Sequence, residues 1–407
     1  MKIPQSLVLN EAAMQMDELE LRAWLRLLLT PGVGNESARG LLRCFGSVWG
    51  IFDAPELYLL QVVSRSQTEA LMHPPAMLDA QFVKTLQWLS ATPQNSTAQR
   101  ALWPLGHPSY PASLLHLADP PLMLFVEGQI HQSLGPAVSV VGSRNPTPQG
   151  RQTAMRFGRA LADLGICVVS GMALGIDGAS HQGALQSVLS GSAPSVSAQP
   201  HPISATPLFW KTVGVVGTGL DHVYPRQHQG LAQEVIAHGV LMSEYALGTP
   251  ALAANFPKRN RLIAALGLGT LVVEAAMRSG SLITARMALD MGREVMAVPG
   301  SIHAMQSHGC HWLIRQGAKL VENVQDILEE LQIPTLTQRG IDPAHDACAR
   351  VATTHPVLDH MGFTPISLDT LHMHCALEIS LLQSELMRLE LEGYVARLPG
   401  GLFQRLL

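Results

Sequence analysis

The sequence predicts an α/β protein built on a doubly wound, mostly parallel sheet, set between a helical N-terminal region and a small C-terminal winged-helix unit. Three observations predict it. Short apolar, β-branched runs alternate with helix-period segments between about 137 and 330, which is what a parallel sheet covered on both faces requires. Several of those runs end in Gly or Ser, at Gly142–Ser143, Ser170–Gly171 and Gly217–Thr218–Gly219. Before this stretch the apolar period is helical, and after it three helices lead into a hairpin.

The N-terminal region, 1–100, reads as helices. "ELELRAWLRLLLTPGVGNESARGLLRCFGSV" puts apolar residues at helical spacing on either side of a tight "PGVG" turn. Two short helices joined by G-x-G have the form of a helix-hairpin-helix (SAM-like) unit, whose glycines free backbone N–H groups for a DNA phosphate. Only Arg39 and Arg43 supply nearby charge, and a plain helical hairpin is the other reading.

The core, 101–332, holds the strand candidates "AVSVV", "ICVVS", "TVGVVG", "VLMSE", "TLVVE" and "EVMAV". In a doubly wound sheet their carboxyl ends share one edge, and ligands bind there. A stretch rich in Ser, Ala and Pro, 187–210, reads as a flexible insertion. A Pro-containing linker, 333–352, leads to 353–407. There two shorter helices, a longer one and a hairpin at Gly400–Gly401 follow the order of a winged helix. Its long helix sets Arg388 against Glu378, Glu385, Glu390 and Glu392, a poor surface for a phosphate backbone and a better one for a partner protein or for packing.

At 407 residues the chain is too long for one ordinary domain. Net charge is −4 and charged residues are 14% of the chain, so a nucleic-acid partner would have to meet positive charge gathered locally. The five cysteines are scattered and never paired as C-x-x-C, which points to a reducing cytoplasm. The opening residues lack an uninterrupted apolar stretch, and no apolar run is long enough to span a bilayer, so the expectation is a soluble cytoplasmic protein without a membrane partner.

"VSVVGSRNPTPQG", 138–150, is a strand entering a glycine turn and then a helix, a common way to hold a phosphate. The phosphate could belong to a nucleotide cofactor or to nucleic acid. There is no G-x-x-x-x-G-K-[ST], H-E-x-x-H or G-x-S-x-G, and "GTGLDH" has His222 where a dinucleotide fingerprint needs its third glycine. "HAMQSHGCH" offers His303, His308, Cys310 and His311 without a nearby carboxylate, so helix packing is the expectation rather than metal.

"NFPKRNRLIAALG", 255–267, carries more. Lys258, Arg259 and Arg261 fall in the first turns of a helix, against its dipole, and no acid occurs between Glu244 and Glu274. Such a cluster points to an external anion, with Phe256 beside it to stack on a base and Arg144 at the same sheet edge. Ser279–Gly280–Ser281 forms another donor-rich turn before a helix. Glu274 either acts as a catalytic carboxylate or fixes a loop; nothing in the sequence completes a catalytic set around it.

At this point a resemblance is specific. "VVGSR", "SGMALGIDGASHQGAL", "GVVGTGLDHVYPRQHQGLAQEV", "SEYALGTP", "NFPKRNRLIAALG", "VVEAAMRSGSLITAR" and "VPGSIHAMQSHGCHWLIRQGAKLVEN" resemble, in order, the successive blocks of the DprA/Smf family, the DNA-processing proteins of natural transformation. The resemblance implies an extended Rossmann-like core that dimerises, binds single-stranded DNA and helps load the RecA recombinase, with no enzymatic activity and no cofactor. Transferred by motif, it implies phosphate contacts from Gly142, Ser143, Arg144, Lys258, Arg259, Asn260 and Arg261, with Phe256 stacking on a base. Arg144→Ala or Arg259→Ala is expected to weaken DNA binding without unfolding the protein. The rival is a nucleotide phosphoribohydrolase-like enzyme, but "RSGSLITAR" lacks the glutamate that its "PGGxGTxxE" block would need.

Overall fold

In the computed structural model, residues 16–91, 97–189, 209–333, 355–375 and 377–406 are described. Six helices come first: α1 (Glu18–Leu29), α2 (Asn35–Phe45), α3 (Val48–Phe52), α4 (Glu56–Leu59), α5 (Arg65–Met72) and α6 (Leu78–Ser90). Asp17 caps α1 by accepting from Glu20 N–H, and Gly46, in the left-handed region, ends α2. The "PGVG" turn joins α1 to α2, with Gly32 at φ +77°. Arg39, one of its two nearby cations, is spent on the Ala118 carbonyl at 2.7 Å.

Nine strands form one sheet. They are β1 (Gln99–Pro104), β2 (Met123–Gly128), β3 (Ala137–Val141), β4 (Cys167–Ser170), β5 (Thr212–Val215), β6 (Val240–Ser243), β7 (Gly269–Val272), β8 (Glu294–Ala297) and β9 (Lys319–Leu320). Their order is β1-β2-β6-β5-β4-β3-β7-β8-β9, parallel from β6 to β9, with β1 and β2 added antiparallel at one edge. The six expected strands are β3 to β8, and residues in β3 to β7 are buried throughout because helices cover both faces. Those helices are α7 (Pro148–Asp163), α8 (Ile176–Leu189), α9 (Gln229–His238), α10 (Asn255–Leu266), α11 (Gly280–Asp290), α12 (His308–Arg315) and α13 (Val324–Glu330).

From β3 the chain winds one way through β4, β5 and β6, then returns to lay β7, β8 and β9 on the other side. The topological switch point therefore lies between the carboxyl ends of β3 and β7. One apolar cluster joins α10, α11 and α12 to one face of the sheet; another joins α7, α8 and α13 to the opposite face. A third runs unbroken from Leu21, Trp24 and Leu25 of α1 through Phe125 of β2 to Leu231, Val235 and Ile236 of α9.

The expected insertion at 187–210 is too wide at both ends. Helix α8 continues to Leu189, and Trp210 is buried, its indole N–H donating to the Gln129 carbonyl at 2.7 Å. Residues 190–208 lie outside the described residues, as do 334–352 of the expected linker.

The C-terminal unit consists of α14 (Pro356–Met361), β10 (Ile366–Ser367), α15 (Leu368–Cys375), α16 (Ile379–Leu391), β11 (Val395–Leu398) and β12 (Leu402–Arg405). Pro399, Gly400 and Gly401 make the three-residue turn between β11 and β12, with both glycines at positive φ. Arg388 on α16 is ion-paired to Glu385 and Glu392, so its charge is neutralised on the helix itself. Among the described residues no helix is long and apolar enough to cross a membrane.

Candidate nucleic-acid interface

The switch point between β3 and β7 is filled from within. Glu274, just past β7, accepts from Thr147 N–H at 2.9 Å and from the Thr147 hydroxyl at 2.5 Å. Thr147 is itself the cap of α7, its hydroxyl accepting from Gly150 N–H at 2.9 Å. Ser143 N–H donates to the Glu274 carbonyl, and Asn145 N–H to the Ser143 hydroxyl. A side chain at Gly150 would collide with the Glu274 carboxyl group. A nucleotide phosphate would sit at this helix N-terminus in a dinucleotide-binding fold, but here a carboxyl group holds the place. Burial pushes the Glu274 carboxyl above the usual range, against the pull of its Thr147 hydrogen bonds.

This arrangement answers the question that Glu274 raised in the sequence: it fixes a loop. It also changes how the "GSR" turn can act. Ser143 and Asn145 spend their N–H groups internally, so the exposed side chains here are those of Arg144 and Asn145, and Arg144 brings the charge. Gly142 serves packing, since a Cβ there would meet Ile176 and the Glu274 carbonyl oxygen at under 3 Å.

Next along the same edge, at the ends of β4 and β5, the surface has a different character. The Arg144 guanidinium lies over the Phe256 ring, 5.9 Å from its centroid. Phe256 lies at the start of α10 against Gly217, where a Cβ would come within 3.2 Å of the ring. On its other flank stands Tyr224, centroid to centroid 5.4 Å, with the planes tilted by 41°. Lys258, two residues beyond Phe256, is exposed. Cations and half-open rings side by side are what a single strand's phosphates and bases require.

The remaining cations of the block are placed otherwise than expected. Arg259 is only 3% exposed; it donates to the Gly171 carbonyl at 2.6 Å and also to the Val215 carbonyl. Buried Asp177 accepts from Gly171 N–H and Ala173 N–H beside it, and a Cβ on Gly171 would strike both the Asp177 carboxylate and the Arg259 guanidinium. Burial lowers the Arg259 pKa to about 10 despite the neighbouring Asp177, and burial raises that of Asp177 against the pull of Arg259. Arg259 thus ties the ends of β4 and β5 to α10. Arg261 pairs with Glu244 at 2.6 Å and with Asp119 at 3.5 Å. The expectation that these two arginines meet an external anion is corrected: acids from other strands and loops, up to 142 residues away in sequence, stand beside them.

Asn260 accepts from Arg259 Nε at 3.3 Å, which turns its carbonyl inward. Ser279 caps α11, its hydroxyl accepting from Ser281 N–H and meeting the Ser281 hydroxyl at 2.7 Å. Gly280 is exposed with open space where a Cβ would stand. His308 and His311 bond to the carbonyls of Ile302 and Gly300, and among the described residues no group of three or more His, Cys, Asp or Glu could hold a metal. Tyr224 escaped the sequence reading. The signal was present, an aromatic before a proline at the end of the glycine-bearing loop, but its nearness to Phe256 depends on the fold.

The comparisons with known proteins point one way. The family model "DNA recombination-mediator protein A" matches residues 101–332, and the DprA winged helix domain model matches 342–401. Protein Smf of Escherichia coli (strain K12) is 38% identical over 299 residues, 72% of this chain and 74% of its own length. The DNA processing protein DprA of Streptococcus pneumoniae is 41% identical over 223 residues, 55% of this chain and 71% of its own. The crystal structure of DNA processing protein A from Streptococcus pneumoniae superposes with a TM-score of 0.61 at 31% identity, covering 78% of this chain and 99% of that one.

Proposed function

The chain belongs to the DprA/Smf family of DNA recombination mediators, and on that footing we propose that it binds single-stranded DNA along the carboxyl edge of its sheet and presents it to RecA. The observation that carries this reading is the grouping of Arg144, Phe256, Tyr224 and Lys258 at the ends of β3 and β5 and the start of α10. Phosphates meet the two exposed cations, and bases meet the rings. Gly142, Ser143, Asn260, Ser279, Gly280 and Ser281 border or support this path; Arg259 and Arg261 act on it by holding α10 in place. The Glu274 carboxyl at the switch point supports a non-enzymatic role, because the position a nucleotide phosphate would take is already filled by an acid.

The protein works in the cytoplasm as a homodimer, so that two such edges engage one strand. Anisotropy with a labelled dT oligonucleotide tests the binding: affinity falls steeply with salt, and a duplex competes poorly. Affinity that is indifferent to salt overturns the phosphate-contact mechanism. RecA filament nucleation on the same strand, followed with and without the protein, tests the second half; an unchanged nucleation rate removes the loading role.

A further inference from the structure

We propose that Tyr224 is the outer base-stacking ring of this site and that stacking on it selects unpaired strands. The inference rests on the single-strand reading above and deepens it. Phe256 is already covered, by Arg144 over the ring and by Gly217 beside it. Tyr224 is 49% exposed and has surface to offer. An isolated exposed tyrosine is ordinary; a tyrosine fixed in place next to a second ring and a guanidinium is not.

The loop that carries Tyr224 is fastened along its length. Thr218 donates through its hydroxyl to the His222 carbonyl at 2.7 Å, and its own carbonyl accepts from the Ser243 hydroxyl at 2.6 Å. Gly219 N–H reaches the Thr249 carbonyl, and Asp221 accepts from Gly248 N–H at 2.8 Å. From the N-terminal helices, Lys84 on α6 closes a 2.7 Å ion pair with the other Asp221 oxygen. The ring is therefore set before any ligand arrives, so little ordering entropy is lost on binding.

The open face of the ring supplies the selectivity. A base that stacks on Tyr224 must bare one of its own faces to it. Paired bases inside a duplex have both faces stacked on their neighbours and cannot do this without unstacking, whereas a base of a single strand can.

The test uses the full chain with Tyr224→Phe, Tyr224→Leu and Tyr224→Ala, and a dT oligonucleotide carrying 2-aminopurine at successive positions. Thermal melts of each variant accompany the titrations, and Tyr224→Leu keeps the apolar bulk if Tyr224→Ala loosens the loop. Stacking on Tyr224 predicts that Tyr224→Phe keeps wild-type affinity and quenching of the probe. It predicts that Tyr224→Leu loses about tenfold in single-strand affinity, together with the quenching at one position, while weak duplex binding is unchanged. Equal affinity and equal quenching for the Phe and Leu variants overturns the role of Tyr224 and leaves the single-strand reading standing. A wild-type protein with no single-strand affinity overturns both.

Discussion

Two neighbouring stretches of the same sheet edge have been put to opposite uses. Between β3 and β7, where a nucleotide-binding sheet opens its crevice, Glu274 and Thr147 close it and leave an acid at the helix N-terminus. A strand further along, between β3 and β5, the edge carries Arg144, Phe256 and Tyr224 with their charge and rings outward. The difference teaches that a doubly wound fold does not choose its ligand; the side chains at each strand end do. One carboxyl group stands where a dinucleotide-binding fold would hold the compact phosphate of a cofactor. The cationic and aromatic group beside it suits an extended polyanion.

The largest expected effect tests which cations belong to the open stretch. Arg259→Ala leaves two buried carbonyls without their donor and takes the positive charge away from buried Asp177, so it costs about 3–5 kcal/mol of stability, seen as a lower urea midpoint. Arg259→Lys does not restore it, because a single ammonium cannot reproduce the guanidinium fork. An Arg259→Ala protein as stable as wild type but poor at binding DNA would break the comparison, since it would put that guanidinium outside.

A smaller effect is expected from the outward cations. Arg144→Ala combined with Lys258→Ala leaves stability within about 0.5 kcal/mol of wild type. It makes the salt dependence of single-strand binding shallower by roughly 0.7 per cation removed. Salt slopes from anisotropy titrations check this; an unchanged slope removes both residues from the phosphate path.

The smallest effect sharpens the closed stretch. The folded protein holds the Glu274 proton to a higher pH than the unfolded chain does. Stability from this group is therefore lost as pH rises from the ordinary glutamate value through the raised one. In Glu274→Gln that slope disappears, while the slopes due to Asp177 and Glu127, also raised by burial, remain. Denaturation curves across this acid range, wild type against variant, measure the difference; identical slopes would mean that Glu274 is not held as described.

Strands β3 to β8 were legible in the sequence because strands buried on both faces must be short, apolar and β-branched. The winged-helix hairpin was legible because its tight turn needs positive φ and shows Gly400–Gly401. The antiparallel strands β1 and β2 went unread ahead of the alternating pattern. At the site, the glycine turn and the aromatic-cation block could be seen, but not which of their side chains point out. Arg259 and Arg261 have the composition of a surface cluster, and only the fold brings Asp177, Glu244 and Asp119 to them. Tyr224 and Phe256 are 32 positions apart and become neighbours only when the ends of β5 and α10 meet.

The apolar cluster that runs from α1 through β2 to α9 has a thermodynamic consequence. A boundary drawn near residue 100 separates two patterns of sequence but passes through a single core. The helices before it and the sheet after it would melt together, in one transition instead of two. A shortened chain beginning at β1 would show water the faces of Leu231, Val235 and Ile236, and it would also lose the Lys84 anchor of the Tyr224 loop. Helices α1 to α6 are then less an appendage than one wall of the molecule, and what happens to them reaches the Tyr224 loop.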